Sequence, residues 1–372
     1  MMKMKMKMQI PEISSPSPMT KSLPMSIPLP NFIETIIVSL PPSNKKFLAF
    51  YNTFSNQKNA EYELLQRLQK VCQKLGIGFL LISNKNIVEN PDSNRQGMHI
   101  DSFDTNEIIC VISLHYLSGK TSKHFTLLTL WNPLGYHNSK DFNRMHSFDG
   151  YISAYSDSID FFVKSHYVNK PFLGHLNTTL DSPLLDIMTS FSNLTCFYVG
   201  VNWDQQSRLS LYRKKVIDLV KALDHLRIIS LYGPQTAWPG YASYVSEIVF
   251  DGESIIHEIR RSGICLVLSS ELHILDTVCS NRLFEGLAAG VPILSDRNPF
   301  IEKWFGDSIF FIDTFSVDVA VKQIQQHMTY IQNHPEETIQ KIQRAREIFT
   351  GNFLMSNQLA NVIASVKSHR HL

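Results

Sequence analysis

The 372-residue chain is predicted to be an α/β protein built from two successive βα domains. Three observations predict this. Short apolar runs alternate with amphipathic helical stretches from Lys45 onward, and a second cycle of the same kind opens at Thr195, after a break near Pro183–Asn193. The length suits two cores, each large enough to bury its own apolar surface. Strands alternating with helices imply parallel sheets covered on both faces.

Residues 1–30 carry six prolines between Pro11 and Pro30, together with Ser, Lys and Met and no periodicity. Such a segment buries too little apolar surface to offset its ordering entropy and reads as a disordered tail. Order is expected to begin around Phe32–Leu40. The amino-terminal domain, 31–190, opens with the buried strand Phe47–Tyr51. A helix follows, with Leu64, Leu65, Leu68, Val71, Cys72 and Leu75 at helical spacing and Gly76 closing it. Strands Phe79–Ile82, Ile108–Leu114, Phe125–Leu130 and Tyr151–Ala154 come next, with polar loops at Asn52–Asn59 and Asn132–Arg144.

The second domain, 191–330, begins with strand Thr195–Val201, which contains Gly200, and a helix from about Leu209 to His225. Strand Leu226–Leu231 leads to Gly233-Pro234. Ile248–Phe250 precedes Asp251-Gly252, a helix through Arg260, Gly263 and strand Ile264–Leu268. A long loop, a short helix at Leu283–Ala289 and strand Val291–Leu294 complete the cycle. The chain is helical from about Val317 to Val366, and residues 331–372 are read as carboxyl-terminal helices packing across both domains. Gly233, Gly252 and Gly290 read as turn glycines.

Composition narrows the function classes. The net charge is +2, from 35 basic and 33 acidic residues, with no long Lys/Arg stripe, so no nucleic-acid partner is expected. The five cysteines, Cys72, Cys110, Cys196, Cys265 and Cys279, form no C-x-x-C pair and read as buried, reduced thiols. No run approaches the length of a membrane span, and Met1–Met8 lacks the continuous apolar core of a secretory signal. A cytoplasmic location is expected, with export by another route left open. Neither G-x-G-x-x-G after a first strand nor G-x-x-x-x-G-K-[ST] occurs, which argues against a dinucleotide dehydrogenase and a P-loop NTPase.

The most informative segment runs from Ser280 through Asn281, Arg282, Phe284, Glu285, Ala288, Ala289 and Gly290 to Pro292 and Asp296. Ser280 or Asn281 can cap a helix whose free N–H groups favour an anion. The small residues let that helix lie close against the sheet. A carboxylate such as Glu285 accepts two hydrogen bonds at once, which suits the adjacent hydroxyls of a ribose. Arg282 would meet a pyrophosphate at the same helix start. The commonest fate of a lone helical glutamate is an exposed pairing with a neighbour.

This segment resembles the donor-binding helix of the group-1 glycosyltransferases, whose pattern reads roughly E-A-x-A-x-G-x-P-V. Its form S-x-R-x-F-E-x-x-A-x-G is nearer the spore-maturation-type branch. The order of elements from about residue 195 to 315 is also similar; the amino-terminal half matches only in rhythm. The resemblance implies two Rossmann-like domains facing across a cleft (the GT-B fold), with the donor in the second domain and the acceptor in the first. It implies sugar transfer from a nucleoside-diphosphate sugar to a hydroxyl acceptor, without metal or cofactor and with retention of configuration. Asp101 and Asp104 lack D-x-D spacing, consistent with that expectation.

Site residues follow from the resemblance. Glu285, Arg282, Asn281, Ser280 and Gly233 are expected around the donor, with Asn202 and above all Arg208 near its diphosphate. Many relatives carry a second, sugar-facing glutamate eight positions before the ribose-binding one; here that position is Thr277. The loop Ser269–Cys279 is longer than theirs, and its Glu271, His273 or Asp276 could take that role. His115, at the end of an amino-domain strand, is the first candidate base if the course is inverting. Trp131-Asn132-Pro133 is a rigid turn that could line the acceptor pocket. Two alternatives stand beside transfer: a nucleotide-sugar epimerase of the same fold, and a non-catalytic nucleotide-sugar-binding module.

Overall fold

The structure, a computed structural model, describes residues 46–54, 60–90, 95–200 and 211–371, and no side chain of 211–213. The tail, Phe32–Leu40, Asn202 and Arg208 therefore lie outside the described residues. Two six-stranded sheets, parallel throughout, carry the fold, as the alternating pattern predicts.

The first sheet comprises β1 (Phe47–Tyr51), β2 (Gly78–Ile82), β3 (Ile108–Ser113), β4 (Thr126–Leu130), β5 (Gly150–Ser153) and β6 (Phe172–His175), in the order β2-β1-β3-β4-β5-β6. Central strands β3, β4 and β5 are buried along their whole length, as a doubly covered sheet requires. Helix α1 (Ala60–Lys74) buries the apolar face legible in the sequence, but that face also carries Glu63 and Arg67. Helices α2 (Ser139–Met145) and α3 (Asp157–His166), and strand β6, were not legible. β6 is a short edge strand of half-buried residues with no strong β pattern.

The second sheet comprises β7 (Thr195–Val199), β8 (Ile229–Tyr232), β9 (Tyr244–Ser246), β10 (Gly263–Val267), β11 (Ile293–Ser295) and β12 (Phe310–Phe311). Its order, β12-β11-β10-β7-β8-β9, is the doubly wound order, with the chain reversing direction across the sheet between β7 and β10. Between the strands lie α4 (Leu211–His225), α5 (Ser254–Ser262), α6 (Glu271–Leu275), α7 (Asn281–Ala289) and α8 (Pro299–Phe305). Some boundaries differ from expectation: the strand read at Leu226–Leu231 begins only at Ile229, since Leu226 is exposed and Arg227 has a left-handed φ of 57°, and the third strand is Tyr244–Ser246, with the apolar run 248–250 outside it. Phe250 and Val249 are exposed, so that apolar run is not a core strand.

Three helices end the chain: α9 (Val317–Asn333), α10 (Pro335–Asn352) and α11 (Met355–Arg370). Pro335 stands at the first position of α10, where its missing N–H costs nothing. α10 packs on α7 and α8, whereas α11 crosses back to cover β3, β6 and α1. Met355, Leu359, Val362 and Val366 thereby join the same core as Leu48, Leu68 and Ile112.

Candidate donor and acceptor site

Open parallel sheets bind ligands beyond the carboxyl ends of their strands, at the point where strand order reverses. In the second sheet that point lies between the ends of β7 and β10. Gly200 and Gly233 close on each other there: a Cβ on Gly233 would stand 2.2 Å from the Gly200 carbonyl oxygen, and its φ is +130°. The Trp238 indole donates to the same carbonyl at 3.2 Å. Gly233 thus shapes the strand ends.

Helix α7 is capped by the Ser280 hydroxyl, which accepts from the Arg282 N–H, and Asn281 is its first residue. Gly290, at φ +68°, ends it with a left-handed residue, and its carbonyl neighbourhood is held by Arg346. The helix lies so close to the sheet that a Cβ on Gly286 would fall 2.5 Å from Ile293 and 2.7 Å from Cys265.

Glu285 stands in the second turn and is fully buried. Both of its oxygens are engaged. Arg67 of α1 donates from Nη2 to Oε1 at 2.7 Å, and Arg282 donates from Nη1 to Oε2. Arg67 also reaches the Glu63 carboxylate at 3.2 Å and the Gly252 carbonyl at 3.3 Å. Two carboxylates and two guanidiniums therefore form one buried, charge-balanced cluster joining the first sheet's helix to the second's. Burial alone would raise the Glu285 pKa, but Arg282 and Arg67 outweigh it and hold it below the usual range. Glu63 is shifted upward, by burial and by the Glu285 charge. As arranged, the Glu285 carboxylate is closed to a ribose, which could reach it only after a guanidinium moved. Arg67 had no sequence signal, since a charged residue on an apolar helix face ordinarily snorkels outward.

The long loop after β10 is locked from beneath. Ser269 donates its N–H to Asp296 at 2.5 Å, and Asn298 donates to the Ser269 hydroxyl at 3.1 Å and the Val278 carbonyl at 2.9 Å. Its residues face the first sheet's loops. Asp276 accepts from the Leu134 N–H at 2.7 Å, and Tyr136 lies 3.1 Å from the Ser270 hydroxyl. His273 Nδ1 is 2.6 Å from Ser270 Oγ, and burial pushes its pKa down to about 4. Glu271 is exposed in the first turn of α6. Thr277 has a left-handed φ of 55° and donates to Ser156 Oγ at 3.3 Å.

His115 lies just past the end of β3, where strand order reverses in the first sheet. Its ring stacks on Tyr116 at 4.5 Å, its Nδ1 accepts from the Leu117 N–H, and burial with the neighbouring His137 pushes its pKa down to about 4. The Trp131 indole donates to the Leu114 carbonyl at 2.7 Å, fixing the turn beside it. His115 and His273 are not brought together: each sits in its own aromatic surroundings.

A cleft of about 310 Å³ near these loops is lined from the first sheet by Tyr155, Ser156, Asp160 and His175, and from the second by Thr277 and Trp304. His175 and Asp160 escaped the sequence reading because β6 and α3 did. All five cysteines are buried and unpaired. Among the described residues, no group of three or more His, Cys, Asp or Glu side chains is placed to hold a metal, and no helix is long and apolar enough to cross a membrane.

Residues 213–364 match the family described as Glycosyl transferase-like. The two Rossmann-like sheets give the chain the GT-B fold. Among solved structures it is similar to the sucrose-phosphate synthase of Thermosynechococcus elongatus, at TM-score 0.55 and 10% identity over 88% of this chain and 99% of that one. It is similar to an alpha-glucosyltransferase solved with UDP and a DNA 13-mer containing an HMU base, at TM-score 0.57 and 9% identity over 87% and 100%. Anabaena HepE, solved with UDP-glucose, gives TM-score 0.51 and 11% identity over 87% and 99%. Among curated proteins, none matches the chain in sequence.

Proposed function

We propose that the protein transfers a sugar from a nucleoside-diphosphate sugar to a hydroxyl acceptor. The observation that carries this reading is the coincidence of the Ser280–Asp296 segment with the strand-order reversal of the second sheet. The donor domain would comprise residues 191–330 and the acceptor domain residues 31–190, with 331–372 tying them together. In the donor domain Glu285 holds the ribose once Arg67 gives way. Arg282, Asn281 and the free N–H groups at the start of α7 meet the diphosphate, and Arg208 and Asn202 are the further residues proposed to bind it. A guanidinium and a helix N-terminus can stabilise a departing diphosphate without a metal.

UDP is the first nucleotide to test, because two of the structural neighbours carry UDP or UDP-glucose. The +2 net charge supports an acceptor other than nucleic acid, unlike the DNA of one neighbour. The spore-maturation-type branch rests on the motif alone. A panel of UDP- and GDP-sugars, read by thermal shift and by release of nucleoside diphosphate, tests the reading. One member should both stabilise the protein and be consumed. Binding without release would point to a binding module, and sugar interconversion without release to an epimerase.

A further inference from the structure

The cleft of about 310 Å³ between the loops of the two sheets differs in chemistry from the charged cluster around Glu285. Tyr155 and His175 line it from the first sheet, and Phe300 and Trp304 of α8 from the second. Tyr155 stacks on the imidazole at 4.0 Å and 16°, and Trp304 meets Tyr155 edge-on at 5.9 Å. Aromatic rings therefore line the cleft from both sheets.

The polar groups beside them offer lone pairs. Asp160 accepts from His175 Nε2 at 2.8 Å and from the Ser153 hydroxyl at 2.5 Å, one donor on each carboxylate oxygen. Each oxygen keeps a second lone pair, and the side chain is 17% exposed. With Nε2 donating to Asp160, the neutral imidazole bears its lone pair on Nδ1, and that side chain is 23% exposed. Thr277 donates to Ser156 Oγ at 3.3 Å, and Ser156 donates to the Asp276 carbonyl. Both hydroxyls thus have their protons engaged and only lone pairs left to offer. At the mouth, Lys303 pairs with Asp157 at 2.9 Å, with both side chains exposed.

We propose that this cleft is the subsite for one neutral sugar ring, with Asp160 and His175 accepting its hydroxyl protons in hydrogen bonds and the aromatic rings covering its C–H face. The source of that sugar, donor or acceptor, rests on the transferase reading given above. Asp160 and His175 are thereby assigned to recognition, not to proton transfer. A volume of about 310 Å³ lies at the lower end of small-molecule sites, which suits one ring and not a whole nucleotide. A sugar ring joins a rim of O–H donors to an apolar face, and the cleft joins lone pairs to aromatic rings. Two carboxylates against one ammonium disfavour a diphosphate here, which leaves that group to Arg282 and the start of α7. Ser153, at the end of β5, fixes the Asp160 carboxylate before a ligand arrives.

Calorimetry on the full-length protein compares UDP with UDP-glucose and UDP-N-acetylglucosamine, and GDP with GDP-mannose. Saturation-transfer NMR takes free glucose, N-acetylglucosamine, mannose and glucosamine, with and without UDP. A donor's sugar in the cleft makes one sugar nucleotide bind wild type at least about tenfold more tightly than its bare nucleotide, the gain from one charged hydrogen bond. An acceptor's sugar in the cleft gives saturation of a free neutral sugar. In either case Asp160→Asn should remove the sugar's contribution and leave bare-nucleotide affinity at the wild-type value, a split that a general loss of fold does not produce. If D160N does not fold, His175→Phe keeps the stack on Tyr155, removes both ring nitrogens and should give the same split. A sugar contribution equal in wild type and variant overturns the proposal, as does the lack of any in wild type. Saturation of glucosamine alone also overturns it, because the carboxylates would then be holding an amine. Sugar binding that D160N abolishes, with neither UDP nor GDP bound, would instead sink the transferase reading and leave the cleft assignment standing.

Discussion

Glu285 shows how much one residue's surroundings matter. The sequence places a carboxylate on α7, but its partners are visible only in three dimensions. Arg67 comes from 218 positions away in the chain. Breaking a buried ion pair from one side leaves an uncompensated charge, which typically costs about 3–5 kcal/mol. Arg67→Met should therefore lower stability by roughly that amount in urea unfolding. It should also loosen the clasp that a ribose has to displace, so a nucleotide that binds through Glu285 should bind R67M at least as tightly as wild type. Weaker binding by R67M would place Arg67 in the donor site. Two half-buried histidines allow a pH prediction. His115 and His273 titrate at about 4 in the folded protein, against an ordinary value of 6.5. Between those values the unfolded chain binds more protons than the folded one, so stability is full above about pH 6.5 and falls as pH drops toward 4. Replacing His273 with Asn should flatten that slope in melts run from pH 7 to pH 4. An unchanged slope would mean that His273 is not a source of it.

At the scale of elements, the close seat of α7 is the feature most readily tested. Gly286→Ala places a methyl 2.5–2.8 Å from Ile293 and Cys265. Both neighbours are buried, so the helix has to lift. Overpacking of this kind costs about 1–3 kcal/mol, more than the helix propensity that alanine restores. A lower urea midpoint with an unchanged slope is expected; a raised midpoint would show that the helix has room. The same scale shows what could be read from sequence. Strands such as Ile108–Ser113 and Thr126–Leu130 are continuous apolar runs because both faces are covered, and such runs are legible. β6, β9 and β12 are edge strands of two to four residues, held by one neighbour each. Their sequences are under weaker constraint, and they were missed or misplaced. The cleft residues His175 and Asp160 were missed with them, because a site on an unrecognised strand has no address in the sequence.

At the scale of the molecule, the two sheets are joined by a cleft, a charge cluster and a returning helix. α11 supplies Met355, Leu359, Val362 and Val366 to a core otherwise built from the first sheet. A chain ending at Leu354 should therefore expose that face, bind a hydrophobic dye and melt earlier. Retention of the wild-type melting temperature would contradict this role. The proposed division of labour, with donor on the second sheet and acceptor on the first, was drawn from one seventeen-residue segment and the order of elements around it. Its closed state was not, because charge pairing between distant residues leaves no local pattern. The central claim is that the nucleotide's ribose binds Glu285, and calorimetric titration of UDP and GDP into wild type and Glu285→Gln tests it most directly. One nucleotide should bind wild type, and the isosteric variant should bind it at least about tenfold more weakly, the loss of roughly one charged hydrogen bond. Equal affinity in the two proteins, with both folded, would contradict it.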